Sequence, residues 1–292
     1  MSASRESVLC IDCEGQRLVG ILAEPEGAPA DVGVLIVVGG PQYRAGSHRQ
    51  FTLLARHLAS QGFTALRFDY RSMGDSPGRV DEQRDFLAVQ ADIAAAIDAL
   101  LAACPALRRV VLWGLCDAAS AALLYVESTR DARVAGMALL NPWARSAATL
   151  AQTHVKHYYG RRLRQPEFWL KLLRGGVGLT ALRTLAGNLR LARGAGRAAD
   201  NRSFQERMAA GLQAHTGATL LILSGEDYTA QEFIDYTRQA PAWQGLLTAP
   251  RVQRLDLPDA DHTFSTLAHQ QAVEAATADW LSTLATQPHG DL

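Results

Sequence analysis

Residues 110–122 read Val-Val-Leu-Trp-Gly-Leu-Cys-Asp-Ala-Ala-Ser-Ala-Ala, and Gly114-Leu115-Cys116-Asp117-Ala118 stands where β-formers give way to small helix-formers. The spacing is that of G-x-S-x-G, with cysteine in the nucleophile position and alanine for the second glycine. A nucleophile on a sharp strand-to-helix turn has strained φ/ψ, and side chains two positions to either side would collide. Gly114 and Ala118 avoid those collisions. The turn also aims the Asp117 backbone N–H and the start of a helix at whatever Cys116 attacks, which favours developing negative charge there. Read without function, the same residues are a buried cysteine at a strand end.

A thiol nucleophile needs a base and an acid to orient that base. Residues 218–224 form an apolar, strand-length run ending in Gly225-Glu226-Asp227, and residues 251–257 alternate before Pro258-Asp259-Ala260-Asp261-His262. Groups just past the carboxyl ends of parallel strands lie on the rim where such sheets do chemistry. His262 is therefore the candidate base and Asp227 the candidate acid. Glu226, Glu232 and Asp235 are competitors for the acid, and Asp261 is assigned to structuring the loop.

Two further loops fit the scheme. Gly33 to Val38 reads as a buried strand followed by Gly39-Gly40-Pro41-Gln42. An N–H at this place would complete an oxyanion hole with the Asp117 amide. Gly40 is the first choice and Gln42 the second, because Pro41 has no N–H to donate. Thr64 to Asp69 reads as a strand, and in the Tyr70–Gly78 loop that follows Arg71 and Asp75 are expected to pin the chain.

Together these residues resemble the α/β-hydrolase superfamily. Within it, the segments Gly39–Phe51, Gly114–Ser120 and Ser224–Phe233 are similar to the first hydrolase family associated with bacterial exosortase A systems. The resemblance implies a genetic neighbourhood of exopolysaccharide and protein-sorting genes, and no defined substrate. Relatives carry glycine where Ser72 stands. Cysteine at the elbow suits ester or thioester substrates, since thiol attack on a thioester is nearly isoenergetic and amides are poorer partners. The cycle implied is an acyl-cysteine intermediate released to water by a hydrolase or to a hydroxyl by an acyltransferase. A non-catalytic binding protein of the same fold is the third alternative.

At 292 residues, 48% hydrophobic and 20% charged, the chain can bury a full core as one large domain with an insertion. Its formal net charge of zero provides no global field for nucleic acid. Neither a signal-peptide pattern nor a run of apolar residues long enough to span a bilayer is present, so a cytoplasmic location is expected. Cys10 and Cys13 have C-x-x-C spacing without a second pair to complete a zinc site. On a strand, positions three apart face opposite ways, so both are expected to be structural. Neither metal nor cofactor is expected.

The elements that must position the site alternate along the chain. A hairpin near 7–12 and 17–23 precedes strands near 33–38, 64–69, 108–113, 134–140, 218–224 and 251–257, with helices near 48–61, 81–103, 117–128, 229–240 and 265–285. Such alternation predicts an α/β fold, with a mostly parallel central sheet covered by helices on both faces. The hydrolase core would comprise 1–143 and 216–292, and 144–215 an inserted helical cap. Residues 154–198 carry ten Lys/Arg and one acid, Glu167. Arg161, Arg162 and Arg164 are therefore candidate substrate-binding residues, for an anionic acyl donor or for contact with a membrane surface. The bland alternative is a solvated cap. The expected partner is a small-molecule acyl substrate, and the oligomeric state is open.

Overall fold

The structure is a computed structural model, and it describes residues 4–39, 42–78, 86–145 and 202–286. Eight strands form one sheet: β1 (Ser4–Cys13), β2 (Gln16–Pro25), β3 (Val32–Val37), β4 (Ala65–Phe68), β5 (Arg109–Leu115), β6 (Val134–Leu140), β7 (Ala218–Ser224) and β8 (Val252–Leu257). Their order is β1-β2-β4-β3-β5-β6-β7-β8. The β1–β2 and β2–β4 pairs are antiparallel and the remaining pairs are parallel. The doubly covered α/β sheet expected from the alternation is thus present.

The central strands are largely apolar because both faces are covered, although β4 buries Arg67. Every residue of β3, Val-Gly-Val-Leu-Ile-Val, is buried. Its side chains alternate between two cores, Leu35 and Val37 on one face and Val34 and Ile36 on the other. The helices are α1 (Gln50–Ser60), α2 (Gln90–Ala103), α3 (Asp117–Thr129), α4 (Phe204–Ala214), α5 (Tyr228–Gln239) and α6 (Leu267–Thr286). The first core collects apolar residues of α2, α3, α4 and α5, and the second those of α1 and α6. Among the described residues no helix is long and apolar enough to cross a membrane.

Two elements differ from the sequence pattern. The pattern places a helix over 81–103, whereas α2 begins at Gln90 after a short 3-10 turn at Phe86–Ala88. Helix α4, inside the stretch read as the insertion, packs directly on α3. A Cβ at Gly211 would strike the Leu123 carbonyl, and Met208 and Leu212 are fully buried in the first core. Its start is fixed by a capping box. Ser203 Oγ accepts from Glu206 N at 3.2 Å, and Ser203 N donates to Glu206 Oε2 at 2.7 Å. Residues 146–201, including Arg161, Arg162 and Arg164, lie outside the described residues.

All four cysteines are free. Cys10 is exposed and Cys13 buried, the opposed orientation that strand pleating requires.

Candidate active site

The turn between β5 and α3 carries Cys116 at φ 62°, ψ −123°, a conformation that a residue with a Cβ rarely adopts. Two small neighbours accommodate it. A Cβ at Gly114 would come within 2.6 Å of the Ala118 carbonyl carbon, and Ala118 is itself fully buried. Both backbone polar groups of Cys116 are engaged. Cys116 N donates to Leu140 O at 2.8 Å, and Cys116 O accepts from Ala119 N at 3.1 Å and Trp143 N at 3.2 Å. Because Asp117 opens α3, its N–H is among those with no carbonyl one turn back, and it stands at the positive end of the helix dipole.

His262, in the loop after β8, brings its Nδ1 to 2.8 Å from Asp227 Oδ2, and it lines the same pocket as Cys116. These contacts hold the imidazole proton strongly. The Asp227 carboxylate first, then Cys116, raise His262 from 6.5 to about 10 against the opposing effect of burial. Asp227 is in turn fixed by the helix that follows it. As the N-cap of α5 it accepts from Thr229 N at 3.0 Å and Ala230 N at 3.2 Å, and it is 6% exposed.

The competing acids are placed otherwise. Glu226 is exposed, and Glu232 accepts from Arg145 Nε at 2.7 Å. Asp235 lies farther along α5. The Asp261 carboxylate caps its own loop, accepting from Ser265 N at 2.9 Å and Thr263 N at 3.2 Å. Bonds from Ser265 hold that carboxyl below its usual range.

A pocket of about 380 Å³ opens over Cys116 and is lined by Gly39, Gln42, Phe86, Leu115, Cys116, Asp117, Trp143 and His262. Cys116, Asp117, Gln42 and His262, all singled out from the sequence, therefore share one cavity. Gly40 lies outside the described residues. Phe86 and Trp143 form apolar walls that the sequence pattern did not single out. Phe86 stacks edge-on against Phe204 at 5.5 Å. Trp143 lies beneath the Arg145 guanidinium at 4.9 Å, and its carbonyl accepts from Ser120 Oγ at 2.7 Å. Among the described residues no three His, Cys, Asp or Glu side chains group as metal ligands.

The chain that follows Gln42 is anchored by ion pairs. Arg44 N donates to the fully buried Asp69 at 2.6 Å, its guanidinium pairs with the same carboxylate, and Arg44 Nη2 reaches Asp75 at 2.7 Å. Arg71 makes a two-pronged pair with Asp92 of α2, at 3.0 and 2.9 Å, and also meets Glu14. Ser72 sits at φ 69°, the left-handed conformation for which glycine is better suited.

A family model described as the alpha/beta hydrolase family matches residues 34–276, a span that contains the elbow, Asp227 and His262. The chain belongs to the alpha/beta hydrolase family. Solved structures share the hydrolase fold at low identity. The esterase Pf2001 of Pyrococcus furiosus superposes with a TM-score of 0.62 at 15% identity, over 96% of this chain and 93% of that one. Est1E of Butyrivibrio proteoclasticus, solved with ferulic acid bound, gives 0.61 at 15% identity, over 96% and 100%. A dienelactone hydrolase of Anabaena variabilis gives 0.61 at 15% identity, over 96% and 98%. No curated protein matches this sequence. At the strand-to-helix turn after β5, this hydrolase carries a thiol, that of Cys116.

Proposed function

We propose that this alpha/beta hydrolase cleaves esters or thioesters through an acyl-cysteine intermediate on Cys116. The observation that carries the reading is that Cys116 and His262 line one pocket while His262 Nδ1 stands 2.8 Å from the Asp227 carboxylate. His262 takes the proton of Cys116, and the thiolate attacks the acyl carbonyl, forming a C–S bond and a tetrahedral oxyanion. The Asp117 amide faces that oxyanion, with Gly40 as the proposed second donor. Collapse breaks the bond to the leaving group, which departs with the proton held on His262. His262 then deprotonates a water that attacks the thioester, and the acid product and free thiol are released.

The Phe86 and Trp143 walls favour an apolar acyl or aryl group over the nucleophile. Sequence similarity at 39–51, 114–120 and 224–233 supports the finer placement in the hydrolase family associated with exosortase A systems. Intact-mass analysis with p-nitrophenyl butyrate and butyryl-coenzyme A tests the reading. Wild type should gain one acyl group and turn over, whereas Cys116→Ala should do neither. Product analysis with an added alcohol separates hydrolysis from transfer. Turnover by Cys116→Ala refutes the mechanism.

A further inference from the structure

The carboxyl end of β6 touches both halves of the site. Leu140 O accepts from Cys116 N at 2.8 Å. The next residue, Asn141, has no solvent exposure and adopts φ 43°, a left-handed conformation that asparagine tolerates better than most residues. Its N–H donates to Ile222 O of β7 at 3.1 Å. Its side chain faces away from the nucleophile turn toward the loops that bear the acid and the base.

The side-chain amide is fully used there. Asn141 Oδ1 accepts from Ser224 N at 2.9 Å, and Nδ2 donates to Ser224 Oγ at 2.8 Å and to His262 O at 3.1 Å. Ser224 Oγ passes its own proton on to Asp261 O at 2.8 Å. The orientation of the amide is not arbitrary. Ser224 N–H can only donate and the His262 carbonyl can only accept, so oxygen and nitrogen cannot exchange places. Ser224 precedes Asp227 by three residues, and Asp261 and His262 form the base loop. One buried amide therefore clamps the chain that carries the acid to the chain that carries the base, while its neighbour Leu140 holds the nucleophile.

We propose that Asn141, acting on the His262 carbonyl directly and through Ser224, is a positioning residue that sets where the His262 ring meets Asp227 and Cys116. This rests on the reading of His262 as the base. Two parallel links, Glu226 N to Ala260 O at 3.0 Å and Gly225 N to Leu257 O at 2.9 Å, keep the loops adjacent without it. Loss of the clamp therefore mis-sets the ring without unfolding the rim.

Asn141→Asp is the isosteric test. A carboxylate would turn an oxygen onto the His262 carbonyl, and a carboxylic acid would have one O–H for two acceptors. Displacements of about 1 Å at a reacting group can cost 10²-fold, so kcat for p-nitrophenyl butyrate should fall about 10- to 100-fold, with KM within about twofold. Ser224→Ala keeps the backbone N–H to Asn141 and the direct Asn141 Nδ2 bond to His262 O but loses both hydroxyl links, so a fall of about three- to tenfold is expected on the same scale. Alkylation of Cys116 by iodoacetamide near neutral pH should slow in both variants, with exposed Cys10 as the internal control.

Unchanged kcat and unchanged Cys116 alkylation in the soluble variants overturn the proposal. So does a loss of activity that only tracks the folded fraction by circular dichroism. If Asn141→Asp does not fold, Ser224→Ala decides alone. Turnover surviving in Cys116→Ala or His262→Ala is a different failure, since it overturns the reading of the site itself.

Discussion

Asp227→Asn separates the two tasks of this carboxylate. Its oxygens accept three donors, Thr229 N, Ala230 N and His262 Nδ1, and an amide has a single acceptor oxygen. With the amide oxygen toward Thr229, the NH₂ faces His262 and stabilises the tautomer protonated on the wrong nitrogen. With the oxygen toward His262, the tautomer survives but the imidazolium loses its counter-charge. The rise of His262 from 6.5 to about 10, shared with Cys116, corresponds to at most about 5 kcal/mol. The His262 side chain is 35% exposed, and solvent screening reduces the useful part to about 3 kcal/mol. Loss of that stabilisation alone predicts a fall in kcat of about 10²-fold, and loss of the tautomer extends it toward 10⁴-fold. The fold should barely register the change, because asparagine caps helices about as well as aspartate. One opposed N–H costs about 1–2 kcal/mol, or a few degrees in Tm. The assay is steady-state hydrolysis of p-nitrophenyl butyrate alongside thermal melts, with Asp227→Ala as the variant that loses both tasks. A kcat within about threefold of wild type would refute the reasoning, as would a loss of activity that merely follows a large loss in Tm.

Because His262 is held at about 10 against 6.5, its contacts favour the folded state in full below pH 6.5 and fade as pH rises to about 10. Melts at pH 6 and pH 10 should therefore fall more steeply for wild type than for His262→Gln, and parallel slopes would contradict this. His215 has the opposite sign: burial lowers it to about 4, so its stabilisation is complete above 6.5 and erodes as pH falls toward 4, by at most about 3 kcal/mol. His215→Gln should flatten that acid limb, and an unchanged limb would exclude His215 as its source. Replacing Arg161, Arg162 and Arg164 by Gln should raise KM for butyryl-coenzyme A more than for p-nitrophenyl butyrate, with a difference that shrinks in high salt. Equal effects on both substrates would leave those arginines as solvated charge.

The parallel strands were legible because residues buried on both faces leave apolar runs with sharp polar ends, as in β3, β5 and β7. The elbow was legible because steric demand at Cys116 dictates small residues at 114 and 118. His262 and Asp227 were candidates from their places after strand ends, and the structure brings these two together while Arg145 holds Glu232. Phe86 and Trp143 carry no such signal. Each stands in a segment without periodicity and reaches the pocket through contacts distant in sequence, with Phe204 and Ser120. Asn141 is hidden for a related reason: a lone asparagine after a strand looks like a turn former, and its partners Ser224 and His262 are 83 and 121 residues away. Helix α4 was absorbed into the insertion because its short apolar face, Met208 and Leu212, makes sense only against α3.

The junction of Gly39 with Asp117 has a consequence for inheritance. A Cβ at residue 39 would fall on the Asp117 carboxylate, so the loop after β3 and the turn after β5 compete for one small volume. Residue 39 cannot gain a side chain while the Asp117 carboxylate keeps its place. Among descendants of this chain, a bulkier residue at 39 should be accompanied by a smaller one at 117. A graft that imports either loop without the other would break the joint, so the two segments behave as a single heritable unit although residues 39 and 117 are 78 positions apart.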